Sequence, residues 1–287
     1  MRNGTGWPRS GAARHQPLVP GPLQGREQCF HRLGASYAVA LLLELIHLLR
    51  PRTVLRVLGL VFGGAGLLAH TLYLGLQSPS PASASWSMLV VAWILAIFYL
   101  YGSVHHRRLA WGVFVLPVVL GLVVLARLFA EPGPAPEGAW LLDWGIVHGV
   151  LLVLAAVGVS VAFLASVMYL VQARRLKAKT LPGQGLRLLS LERLEQMNRR
   201  AINLAFPLLT AGLLVGLMLM ARSIDQVAGW TDPRVIGTLV LWLVFAILLY
   251  LRYGLHLRGR RVALWTIAAF ALLLFTLAAP HTLGGGR

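Results

Sequence analysis

Three histidines on three different apolar stretches, His70, His148 and His281, have the type and spacing to do chemistry in this chain. A neutral imidazole nitrogen is a common axial ligand of haem iron. Two such nitrogens make a six-coordinate, redox-capable haem of the b type, held without covalent attachment. The competing reading leaves each histidine hydrogen-bonded inside a helix bundle or facing water at its rim. Ionisable groups within a membrane default to a functional reading, and a shared depth for three of them favours ligation.

That shared depth depends on the elements that carry the histidines. Eight apolar segments run through 34–49, 54–76, 87–104, 109–130, 144–171, 203–221, 235–251 and 262–280. Most approach the ~20 residues needed to cross a bilayer as a helix. Hydrophobic residues make up 57% of the chain and charged ones only 12%, about half the usual globular share. The predicted fold class is therefore all-α, a polytopic membrane helix bundle of about eight spans. The predicted domains are a disordered basic tail over 1–32, which holds Arg2, Arg9, Arg14, Arg26 and Arg32, and a transmembrane domain over 33–283.

Charge sets the sidedness. Arginines and lysines crowd the loops around 50–56, 105–108, 174–200 and 252–261, whereas the loops 77–86 and 131–143 carry none. Basic loops stay inside, so His70, His148 and His281 all lie toward the outer face. At 1.5 Å per residue His70 sits about 9 Å below the outer end of its helix. His148 is about one turn in, and His281 ends the last segment. Eight spans put both termini outside, which strands the basic tail on the wrong side. Seven spans, with the first segment left out, would remove that conflict.

Other groups gather at the outer rim. Trp86, Trp140, Trp144, Trp230 and Tyr73 could wall a porphyrin, although an interfacial aromatic belt accounts for most of them. Arg127 and Arg222 could pair with haem propionates through charge-assisted hydrogen bonds, or simply snorkel to the headgroups. The remaining histidines are placed differently. His105, His106 and His256 accompany arginines in inner loops, His47 lies near the inner end of the first segment, and His15 and His31 lie in or beside the tail.

Composition also excludes several functions. A net charge of +17 would suggest nucleic acid in a soluble chain, but here the cations follow the loops. The partner they imply is the lipid bilayer, not nucleic acid. One cysteine, Cys29, rules out an internal disulfide, a CxxC pair and covalent haem attachment. No nucleophile–base set converges, so no enzyme activity is expected. The absence of an inverted repeat or broken-helix pair disfavours a transporter. A transmembrane electron relay would need histidine pairs at both faces.

An ordered series of short motifs then resembles a known family. His148 is followed by Tyr169-Leu170, Leu176-Lys177, Leu189-Ser190-Leu191-Glu192 and Phe206-Pro207-Leu208-Leu209-Thr210-Ala211-Gly212. Beyond these come Trp230-Thr231-Asp232-Pro233-Arg234, Trp242, Leu251-Arg252-Tyr253, Arg258-Gly259-Arg260-Arg261 and Ala269-Phe270. The series is similar to the integral membrane cytochrome c assembly family, in its HemX-like or CcsA-like branch. It runs over about 54–283 and is strongest over 144–270. The resemblance implies a haem-handling component of cytochrome c biogenesis in the bacterial plasma membrane, with ligands at His70, His148 and His281. Implied partners are other maturation membrane proteins and, indirectly, apocytochrome c. The alternative is a HemX-type regulator of haem biosynthesis that needs no stable haem and works through the basic stretch 172–202. The tryptophan-rich loop of the family would fall at 222–234, where only Trp230 and Asp232-Pro233 remain, with Arg234 in place of the usual Lys.

Overall fold

A computed structural model describes residues 22–77, 83–105, 109–129, 139–178, 188–222, 233–255, 257 and 259–278. Eight helices occupy them: α1 Pro22–Leu49, α2 Thr53–Gln77, α3 Ala84–His105, α4 Gly112–Leu128, α5 Ala139–Lys177, α6 Leu191–Arg222, α7 Pro233–Tyr253 and α8 Arg260–Ala278. No strand appears among the described residues. Seven of the helices are long and apolar enough to span a bilayer. The shorter one is α4, whose 17 residues cover about 25 Å, at the lower edge of a spanning length. The marginal span is thus α4 and not the first segment, since α1 offers Phe30–Leu49 as an apolar stretch of 20 residues.

The helix begins earlier than the charge pattern suggested. Pro22 to Arg32, expected as part of the disordered tail, form the first turns of α1, while residues 1–21 lie outside the described part. Farther along, Leu33, Tyr37 and Ala40 are fully buried, a 4-then-3 spacing that puts them on one face against α2. Phe30 continues that face and meets the edge of Tyr73 with ring centroids 5.6 Å apart. This packing, absent from any reading of the tail alone, extends the helix outward.

Packing divides the bundle into two rings of four helices. In the first, α1 packs on α2 and α4, and α3 packs on α2 and α4. In the second, α5 packs on α6 and α8, and α7 packs on α6 and α8. The two rings therefore repeat one arrangement. They meet through α3 against α5 and α8, and through α4 against α5. Each ring joins its four helices in the same order.

Close approach in lipid relies on van der Waals packing over small residues. A Cβ at Gly63 would lie 2.6 Å from Tyr99 Cε1, and one at Gly66 would lie 2.9 Å from the Tyr37 ring. The glycine run of α2 thus serves two neighbours at once, α3 and α1. The opposite face of α2, with Val54, Val57, Val61, Leu68, Leu72 and Leu76 exposed, is the lipid-facing side.

Both α5 and α6 are longer than the apolar segments expected there. At 39 residues α5 reaches about 58 Å, against ~30 Å of hydrocarbon. The polar stretch Leu191–Arg200 is no loop but the start of α6. Ser190 caps it, its Oγ accepting from the Arg193 N–H at 3.4 Å. The paired helices carry Arg174, Lys177, Arg193, Arg199 and Arg200 at the end that the charge pattern predicts to be inner.

Sidedness gives a first expected result. In a Cys29→Ser background, Arg52→Cys should react with an impermeant maleimide only after cells are permeabilised, and Gln77→Cys should react in intact cells. Reversed accessibility would invert the bundle and put the histidines at the inner face.

Candidate functional site

His70 lies on α2, seven residues before that helix ends, and is fully buried. Its Nδ1 is 3.4 Å from the hydroxyl of Tyr37 on α1, and the two rings meet edge to face at 6.0 Å. Its Nε2 has no hydrogen-bond partner among the described residues. A buried polar atom without a partner costs about 1–3 kcal/mol, so the site is built at a loss unless something else meets that nitrogen.

His148 lies on α5 and faces α6. Its Nδ1 is 2.8 Å from the carbonyl oxygen of Gly212. A carbonyl can only accept, so Nδ1 carries the proton and donates, and the neutral ring keeps its lone pair on Nε2. An imidazole with one nitrogen fixed by a backbone carbonyl is the usual outer-sphere arrangement of a metal-binding histidine. Room for the ring comes from Gly216, one turn along α6, where a Cβ would lie 2.7 Å from His148 Cε1. Gly216→Ala should therefore push the ring off Gly212 at a cost of about 1–3 kcal/mol of overpacking. Thermal unfolding of the detergent-solubilised protein would show it, and an unchanged melting curve would mean that the ring is not seated as described.

The donor chemistry of both histidines fits a metal-ligand role, one through an orphaned buried nitrogen and one through a fixed tautomer. They sit in different rings of the bundle, however: His70 is held within the α1–α2 pair and His148 within α5–α6. His281 lies outside the described residues. No group of three or more His, Cys, Asp or Glu side chains gathers to hold a metal ion among the described residues. Trp144 stands one turn before His148 near the outer end of α5 and is 37% exposed. Arg222 closes α6, and its side chain lies outside the described part. Arg127 is in the last turn of α4. An apolar cleft of about 360 Å³ opens between α4, α5 and α8, walled by Pro117, Gly121, Phe163 and Phe270, and none of the histidines lines it.

One polar centre escaped the sequence entirely. Arg252 reads in sequence as an inner-loop cation and Asn198 carries no signal, yet they are only 8% and 5% exposed. The Asn198 Nδ2 donates to Ala162 O at 3.1 Å, Ser166 Oγ at 2.9 Å and Thr266 Oγ1 at 3.2 Å. Its Oδ1 accepts from Arg252 Nη1 at 2.8 Å, and Arg252 Nη2 donates to Glu195 O at 3.2 Å. The Glu195 carboxylate stands 4.0 Å from the same guanidinium. Four helices, α5 to α8, are thereby tied together at the inner end of the second ring. The first ring has a counterpart, in which Tyr99 donates to Glu44 Oε1 at 3.2 Å and Arg56 donates to Ser103 O at 2.7 Å.

The fold defines a class, the multi-pass helical membrane proteins. Comparison with known proteins narrows that class. The family model described as "Cytochrome C assembly protein" matches residues 82–279. Protein HemX of Bacillus subtilis is 30% identical over 186 residues, covering 64% of this chain and 67% of that protein. The cytochrome c biogenesis protein CcsA of Gloeobacter violaceus is 22% identical over 253 residues, covering 70% and 75%. CcsA of Chlamydomonas reinhardtii is 23% identical over 208 residues, covering 70% and 57%. No solved structure matches. The chain belongs to the cytochrome c assembly protein family. His148 falls inside the matched residues, whereas His70 precedes them and His281 follows.

Proposed function

We propose that this protein is a haem-handling component of cytochrome c biogenesis that takes up non-covalent, b-type haem near the outer face of the bacterial plasma membrane. The observation that carries the reading is the His148 ring. It lies within the family's matched stretch, is pinned through Nδ1 to Gly212 O, and is left with Nε2 as a lone-pair donor. His70 would be a second donor, and His281, Trp144 and Arg222 would complete the outer end as ligand, wall and propionate partner. Bound haem would supply iron for axial ligation and would be cargo rather than a catalytic group. The chain's own residues hold it, orient it and keep water from it.

No covalent step is assigned to the protein. With only Trp230 and Asp232-Pro233 left of the tryptophan-rich loop, other maturation membrane proteins would present the haem to apocytochrome c. Deleting the gene should abolish c-type cytochromes, with wild type restoring them and His148→Ala failing to do so. Normal c-type cytochromes after deletion would defeat this reading.

A second reading has one observation in its favour. The end of α5 and the start of α6 are helical and carry a cluster of cations, as a regulator of the HemX type acting through 172–202 would use. A haem-synthesis enzyme captured by the full-length protein, and released when Arg193, Arg199 and Arg200 become Glu, would favour it.

A further inference from the structure

We propose that Tyr37 is a positioning residue for His70, which holds the ring so that Nε2 is the atom offered to iron. This rests on the haem-handling reading and goes beyond it, since α1 and α2 precede the residues that define the family. Four observations converge on the pair. The Tyr37 hydroxyl is 3.4 Å from His70 Nδ1. Both side chains are fully buried, so no bulk water competes for either polar group. The far nitrogen, Nε2, has no partner among the described residues. The tyrosine ring reaches its place only because residue 66 is glycine, where a Cβ would lie 2.9 Å from two of the ring carbons and 3.3 Å from Ser36 Cβ.

The chemistry follows from which atom holds the proton. In the tautomer that offers Nε2 to iron, Nδ1–H donates to the Tyr37 oxygen and the imidazole gains basicity, as outer-sphere partners confer on metal-bound histidines. Loss of the hydroxyl leaves the ring free to turn and makes Nε2 a poorer donor. The phenyl ring alone would still fill the space above Gly66. Tyr37→Phe therefore removes the positioning while the packing remains.

The test uses the full-length protein in detergent, titrated with hemin, as wild type, Tyr37→Phe, His70→Ala and His148→Ala. Tyr37→Phe should weaken hemin binding about 10- to 100-fold and raise the haem midpoint potential, with the far-UV spectrum and melting temperature close to wild type. His70→Ala should weaken binding at least as much. Equal affinity and equal potential in Tyr37→Phe, alongside a loss in His70→Ala, would overturn the positioning role while sparing the haem reading. A loss in His148→Ala with no change in His70→Ala would overturn it as well. A wild type that takes up no hemin would remove the haem reading and the inference together.

Discussion

Asn198→Leu should lower the stability of the detergent-solubilised protein by about 2–4 kcal/mol, the largest single-residue effect expected outside the outer site. Hydrogen bonds between transmembrane helices average only ~0.6 kcal/mol, so a neutral pair would not carry such a figure. A charge raises it. Bonds to charged groups are worth about 1.5–3 kcal/mol, and removing one partner of a buried charge strands the other. Leucine matches the volume of Asn198 but offers nothing to Arg252 Nη1, Thr266 or Ser166. The guanidinium would keep Glu195 O and the distant Glu195 carboxylate. Reversible unfolding in a mixed detergent series measures the loss. The double variant Asn198→Leu with Arg252→Met should recover part of it, because both polar groups then leave together. A single variant within about 0.5 kcal/mol of wild type would show that the centre contributes no net stability.

The same centre marks the limit of what was legible in the chain. Apolar length gave the eight helices, because hydrocarbon tolerates only helices whose backbone groups bond internally. Segment ends were less legible. Leu191–Arg200 reads as a polar linker until Leu194, Asn198 and Ile202 are seen to bury one face against the other helices of the second ring, a 4-residue spacing obscured by Arg199 and Arg200 beside it. Arg252 reads as one more inner-loop cation, and nothing in its neighbours announces that it turns inward to Asn198. The tail hid α1 in the same way, since Leu33 and Tyr37 make sense only with α2 alongside. The matching contact order of the two four-helix rings leaves no obvious trace in residue order.

Of the candidate site, the histidine positions were legible and their surroundings were not. Sequence placed His70 and His148 on apolar helices, and both do lie on helices, α2 and α5. It could not show that each ring is fixed by a different partner, Tyr37 for one and the Gly212 carbonyl for the other. Those contacts cross between helices 33 and 64 residues apart in the chain, beyond the reach of periodicity or local propensity. The glycines were legible as packing residues only in the general sense of small groups at helix crossings. That Gly216 makes room specifically for an imidazole belongs to the three-dimensional arrangement.

The second large effect is at His148. Loss of an axial ligand costs more than loss of its outer-sphere support, which is itself worth about 10- to 100-fold in affinity. His148→Ala should therefore drop hemin affinity by more than ~100-fold. His148→Ala with 1 mM imidazole added, roughly a typical weak-ligand concentration, should regain part of the Soret band, because free imidazole can enter the space the ring has left. A purely structural role for His148 would not be rescued in this way.

The most direct measurement is the visible spectrum with haem quantitation on the purified full-length protein, wild type beside His148→Ala and His70→Ala. A Soret band with near-stoichiometric b-type haem in wild type, reduced in both variants, is the result expected if the outer histidines bind haem. A wild type that stays colourless after expression with added haem, while its helical content is intact, would contradict haem handling and leave a membrane protein of the cytochrome c assembly family that works without a bound haem.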